Sequence, residues 1–162
     1  MKHLRSYMTV CIVGWLACIA LVGCSEANCP LNTRVYATWS FYKEDQLYKL
    51  NDTLNIYLQV NGQDSLVANR LNNVSYIGIP MSYYNSADTL TFEVKTSSHR
   101  VYKDIVIVHK ENVPHFNSPE CGAWVEHYIQ NTELTHNDLD SITVTNPKVD
   151  NNEAENFRVY FK

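Results

Sequence analysis

Thr53-Leu54-Asn55-Ile56-Tyr57-Leu58-Gln59-Val60-Asn61-Gly62-Gln63 sets how the rest of the chain is read. Leu54, Ile56, Leu58 and Val60 alternate with Asn55, Tyr57 and Gln59, the two-residue period of a strand with one buried face. Asn61-Gly62 then supplies two successive residues that tolerate positive φ, as a type I′ hairpin turn demands. A returning strand is expected from Gln63 through Leu66 and Val67.

The same period recurs on both sides. Upstream, Val35, Ala37, Trp39 and Phe41 alternate with polar or amphipathic neighbours, and residues 43–51 read as a charged loop. Downstream, residues 74–79 are apolar and closed by Pro80, and residues 81–88 form a loop holding Tyr83 and Tyr84. Leu90, Phe92 and Val94 share one face of the next strand. Ile105-Val106-Ile107-Val108 is apolar on both faces, which predicts a central strand covered on both sides. Residues 113–122 carry Pro114, Pro119 and Cys121 and read as a break. Residues 123–129 fit a strand through Val125, His127 and Ile129, or a helix face through Trp124, Val125, Tyr128 and Ile129. The surrounding pattern favours the strand. Ile142 and Val144 point inward before the Asn146-Pro147 break, and Phe157, Val159 and Phe161 alternate at the end. About eight short strands at turn-punctuated spacing predict an all-β fold, an antiparallel two-sheet sandwich of immunoglobulin-like type.

The start of the chain has a different character. Lys2 and Arg5 precede an apolar run and then Leu21-Val22-Gly23-Cys24, the order of a secretion signal ending in a lipobox. The run is about 14 residues, short of the ~20 that a spanning helix needs. Residues 1–23 are therefore expected to be a lipoprotein signal peptide, 24–32 a lipidated tether and 33–162 the β-sandwich domain. Cys24 would be acylated on sulfur, and two or more acyl chains hold a soluble domain on a bilayer almost permanently. Ser25 rather than Asp follows the cysteine. By analogy with other bacterial lipoproteins this fits outer-membrane residence, with the periplasmic and cell-surface faces both open.

Removing Lys2 and Arg5 takes the formal charge of the 162-residue chain from −4 to −6. Such an acidic domain is a poor candidate for nucleic acid or anionic lipid. Cys11 and Cys18 leave with the signal and Cys24 carries lipid, so Cys29 and Cys121 remain as an even pair in an oxidising compartment. A disulfide between them is expected. It would close a loop of about 90 residues, worth roughly 4–5 kcal/mol in the chain-entropy model.

Chemical motifs are sparse. Asp-(Ser/Thr)-aliphatic occurs at Asp52-Thr53-Leu54, Asp64-Ser65-Leu66, Asp88-Thr89-Leu90 and Asp140-Ser141-Ile142. It resembles the O-glycosylation acceptor motif of exported Bacteroidetes proteins, which implies Thr53, Ser65, Thr89 and Ser141 as candidate acceptors at exposed turns. The local alternative is that Asp favours a turn and the next residues open a strand. The acidic residues Asp138, Asp140, Asp150, Glu153 and Glu155 follow no calcium-loop spacing. The histidines His99, His109, His115, His127 and His136 show no metal-ligand spacing. No catalytic constellation, cofactor motif or metal site is expected. Cys121 with His115 or His127 as its base is the weak enzymatic reading. Tyr42, Tyr48, Tyr83 and Tyr84 lie near predicted turns and form a candidate sticky patch.

Pro119-Glu120-Cys121-Gly122, Asp64-Ser65-Leu66, Ile79-Pro80-Met81, Asp104-Ile105-Val106-Ile107 and Asp140-Ser141-Ile142, with the lipobox and a second early cysteine, run through nearly the whole mature chain. In these motifs it resembles a family of small Bacteroidetes lipoproteins with a domain of unknown function. The resemblance implies an exported, lipid-anchored β domain and no reaction. It also implies an outer-membrane barrel protein as a partner, by the neighbourhood in which such proteins are encoded. The leading expectation is a non-enzymatic, lipid-anchored envelope module. It would bind an outer-membrane protein or a glycan, and touch the membrane only through its N-terminal lipid. The alternatives are an envelope hydrolase with an unrecognised carboxylate or Cys121 site, and an assembly subunit pairing its last strand, residues 156–161, with another chain's sheet.

Overall fold

The computed structural model describes residues 35–116 and 123–162. These residues hold eleven strands and no helix: β1 Tyr36–Lys43, β2 Gln46–Leu47, β3 Thr53–Val60, β4 Gln63–Leu71, β5 Tyr76–Pro80, β6 Ala87–Lys95, β7 Val101–Phe116, β8 Ala123–Leu134, β9 Leu139–Val144, β10 Lys148–Val149 and β11 Glu155–Phe161. One sheet runs β2-β1-β11-β9, with β5 also on β1, and the other runs β10-β8-β7-β6-β3-β4. Cys24, Cys29 and Cys121 lie outside the described residues, so the lipidation and disulfide expectations are not addressed by the fold.

The β3–β4 hairpin forms as its sequence demands. Asn61 and Gly62 both take positive φ, 52° and 77°, and Val60 pairs with Gln63 across the turn. Nothing lies within 4 Å of a Cβ built on Gly62, so a side chain there meets only its own backbone. Gly62→Ala should therefore lower stability by about 1 kcal/mol, read from the urea midpoint at unchanged slope.

The two sheets bury one core between them. Ala37, Trp39, Phe41, Phe157, Val159 and Phe161 project from the first sheet, and Leu54, Ile56, Leu90, Phe92, Val106 and Val108 from the second. Trp39 is its centre: its ring stacks on Phe157 at 3.9 Å and lies 5.6 Å from Phe92 across the gap. The alternations read around Val35, Leu54, Leu90 and Phe157 face this core, except that Val60, at the hairpin end of its strand, is exposed.

Four expectations need correction. First, β1 and β11 run parallel, Phe41 opposite Val159, so the first sheet is mixed rather than wholly antiparallel. Second, β7 is central but only one of its faces is covered. Val106 and Val108 are fully buried, whereas Ile105 is 44 % exposed, because no third layer packs on that side among the described residues. Third, the break expected over 113–122 does not include residues 113–116, since β7 continues through Phe116. Lys110 donates its backbone N–H to Ser86 O on the β6 side. By two-residue alternation the missing N–H of Pro114 also falls on that side, past the end of β6, where a proline breaks no ladder. Fourth, the last strand is no free edge: β11 is paired with β1 on one side and β9 on the other. The assembly reading through residues 156–161 lacks the unpaired strand it requires.

The topology gives the sandwich two distinct ends. Tyr36 pairs with Pro80, so Val35, the first described residue, lies beside the 81–86 connection, at what we call the entry end. β7 and β8 extend past the start of β6, which is matched at Ala87–His109, and so project at this same entry end. The 96–100 turn caps the opposite end, where Lys95 pairs with Val101 and Thr53.

Candidate functional site

At the entry end a short loop, residues 81–86, is bolted down by a buried ammonium group. Lys110 follows Val106 and Val108 at the inward position of β7, and is 3 % exposed. Its Nζ donates to Ser82 O at 2.6 Å, Asn85 O at 2.7 Å and Asn112 Oδ1 at 2.8 Å. Asp88, also buried, faces it at 3.5 Å and accepts the Ser82 N–H at 3.0 Å. Asn112 Nδ2 donates a second bond to Asn85 O at 2.8 Å, and Asn85 N–H bonds Ser82 Oγ at 3.1 Å. Burial pulls the Lys110 ammonium below the usual lysine range, and Asp88 opposes that pull. Since an ammonium has three donors and no acceptor, the three oxygens around Nζ use it fully in its charged form.

His127 completes the cluster from β8. Its Nδ1 lies 2.7 Å from Asn112 Oδ1, which can only accept, so Nδ1 carries the proton and Nε2 is bare. Nε2 is buried without a partner, as is Asp88 Oδ1. Desolvation, then the nearby Lys110 charge, pushes the imidazole pKa down to about 4. Tyr83 stacks on the ring with 6.3 Å between centroids at 9°.

This cluster holds the loop and presents no nucleophile. Lys110 is saturated by acceptors, and the His127 ring is sealed in the interior. What reaches solvent is Tyr84, 95 % exposed. Beside it runs an open groove of about 650 Å³, lined by Tyr83, Tyr84, Ser86, Asn112, Pro114 and Val125 among others. Phe116, 66 % exposed, ends the same strand. A rigid loop that offers a bare aromatic ring next to an apolar wall has the make-up of an interface anchor.

The other sequence candidates are dispersed. Tyr83 and Tyr84 belong to this groove, but Tyr42 and Tyr48 do not. Tyr42 packs against Tyr160 and under Arg158, and Tyr48 against Phe161, so the four tyrosines form no single patch. Thr53, Thr89 and Ser141 are half-buried within β3, β6 and β9, and Ser65 alone is exposed, on edge strand β4. These hydroxyls sit in strands rather than turns, and Asp88 of the third motif is committed to the loop. His115 stacks on Trp124 and lies 3.1 Å from Glu126 on the opposite face of β7 and β8 from His127. No group of three or more His, Cys, Asp or Glu among the described residues could hold a metal ion.

Asp52 and Glu93 share an open polar cleft at the far end, and Asp52 also lines a smaller pocket with Asp138. Both make contacts within the fold. Asp52 Oδ1 accepts the Ser97 N–H at 3.1 Å. Glu93 accepts from Asn55 at 3.1 Å and pairs with Lys103 at 2.9 Å, contacts that hold its carboxyl below the usual range, the Lys103 bond foremost.

Lys110 and Asn112 were not singled out from sequence, and Asp88 was read only as the turn residue of its motif. One signal could have found them: Asp88 and Lys110 occupy the inward parity of otherwise apolar strands, beside Leu90 and Val108. A charge at such a position needs a buried partner.

A family model described as a family of unknown function (DUF6452) matches residues 53–161, from β3 to the end of β11. No curated protein and no solved structure matches the chain.

Proposed function

The chain belongs to that family of unknown function, and we propose that it is a non-enzymatic, lipid-anchored docking module of the outer membrane, holding an outer-membrane protein through Tyr84 and its groove. The observation that carries the reading is the bolted loop. Burying a lysine and an aspartate costs several kcal/mol per ion before their attraction is counted. Here that cost goes into fixing backbone beneath an exposed tyrosine rather than into packing.

Location supports the same partner. The groove lies at the entry end, beside Val35. A tether acylated at Cys24 would keep this end nearest the bilayer, within reach of a membrane-embedded protein. A Cys29–Cys121 disulfide would join the tether to the connection between β7 and β8, both of which leave the described fold at this end. It would thereby limit the swing of the domain.

Crosslinking in intact cells, with mass spectrometry of the captured complex, tests the proposal. One outer-membrane protein should be recovered with the wild type. Tyr84→Ala should weaken that contact roughly 30-fold, the ~2 kcal/mol of an interface anchor, and change stability by no more than about 0.5 kcal/mol. The same spectra read the acyl mass on Cys24 and the linked Cys29–Cys121 peptide. Equal recovery with and without Tyr84 rejects the docking surface, and an unacylated Cys24 rejects the anchor.

A further inference from the structure

We infer that the polar cleft at the far end is a second binding site, for an acidic oligosaccharide. The cleft measures about 590 Å³, within the range of small-ligand sites. It lies between β4, the outer face of β3 and β6, and the 96–100 turn. Its acids are engaged internally and its cations are left open. Glu93 is taken by Asn55 and Lys103, and Asp52 by the Ser97 backbone. The side chains of Arg70, Lys95 and His99, all exposed on the wall, have no partner among the described residues.

Two of these basic groups are mounted on fixed, unfavourable backbone. Arg70 has φ +52° and His99 φ +64°, the left-handed region that costs a side-chain-bearing residue energy. Arg70 is kept there by Asn55 Oδ1, which accepts its backbone N–H at 2.7 Å. His99 is kept by Thr96 O, which accepts its N–H at 2.9 Å. The Asn55 amide thus positions Arg70 through one atom and orients Glu93 through the other.

The remaining wall selects the ligand class. Asn51, Asn69 and Ser97 offer amide and hydroxyl groups that match sugar hydroxyls, and no Phe, Tyr or Trp lines the cleft. The fork of an arginine matches a carboxylate or sulfate with two parallel bonds. A sugar chain bearing either group satisfies both parts of the wall at once. The site faces away from the entry end and shares no residue with the Tyr84 groove, so the two can fail separately.

Calorimetric titration of the full-length protein in detergent tests this with four probes: a galacturonate trisaccharide, a heparin-derived tetrasaccharide, maltotriose and inorganic sulfate. At least one acidic oligosaccharide should bind at least tenfold more tightly than both maltotriose and sulfate. Galacturonate against heparin then tells carboxylate from sulfate recognition. Arg70→Ala with Lys95→Ala should weaken that binding at least tenfold at an unchanged thermal midpoint, Arg70→Lys should weaken it less, and Tyr84→Ala should leave it intact. Acidic probes no tighter than maltotriose, sulfate as tight as either, or undiminished binding in the double variant would overturn the inference.

Discussion

Lys110→Met should lower stability by roughly 3–5 kcal/mol, the cost of stripping one partner from a buried ion pair. Methionine keeps the apolar stem packed beside Val108, so the loss reports the ammonium group. Removing it leaves Ser82 O without the Lys110 donor and Asp88 without its cation, and takes one of two donors from Asn85 O and Asn112 Oδ1. The damage should be local as well as global. Amide exchange in residues 81–86 should rise, and the Tyr84 crosslink should weaken although Tyr84 is unchanged. Adding Asp88→Asn to Lys110→Met should cost less than the sum of the two single changes, because the second removes a charge that the first has stranded. Urea unfolding measures all three variants. A loss under 1 kcal/mol for Lys110→Met would show that the bolt contributes little.

Acid should destabilise the fold through His127 well before the carboxylates titrate. The ring is neutral in the folded chain, with a pKa of about 4 against an ordinary 6.5. Between those values the unfolded chain binds a proton that the folded chain refuses. Stability is thus full above about pH 6.5 and falls as the pH drops to 4, by roughly 1.4 kcal/mol per pH unit and about 3 kcal/mol in all. The charged Lys110 and the sealed Nε2 give the direction, since a second cation there would be both repelled and unsolvated. His127→Gln should flatten the curve across that window. Asp104, Glu93 and Glu155 have lowered folded values, so their contribution is lost only at lower pH. Asp138, raised by burial and by Asp104 and Asp52, runs the other way, and does so above the ordinary aspartate value, on the acid side of the His127 window. Stability measured at several pH values with and without His127 separates the two windows. A wild-type curve flat from pH 7 to 4.5 would refute the buried neutral ring.

Much of the sandwich was legible because strand alternation is a local property. Each of Leu54-Asn55-Ile56, Leu90-Thr91-Phe92 and Phe157-Arg158-Val159 carries its own inside and outside. Asn61-Gly62 likewise encodes its turn in two residues. The open outer face of β7 was not legible. Ile105 and Ile107 are as apolar as Val106 and Val108, and whether a further layer covers them is not written in the strand itself. Pro114 misled because a proline ends a strand only where its N–H is needed, and that depends on where β6 stops.

The site divides along the same line. Tyr83 and Tyr84 were visible as aromatics in a loop, whereas their rigidity was not. By itself the sequence determined a two-layer β fold with Trp39, Phe92 and Phe157 inside, because side-chain alternation and turn propensity act over a few neighbouring residues. Only the tertiary structure decided that Asp88, Lys110, Asn112 and His127 meet, that Tyr42 and Tyr48 are elsewhere, and that β11 is sheltered between two strands. Those facts depend on the register between strands distant in the chain. A one-residue slip in register exchanges the faces of a strand, so the partners of a buried charge exist only once the sheets have aligned.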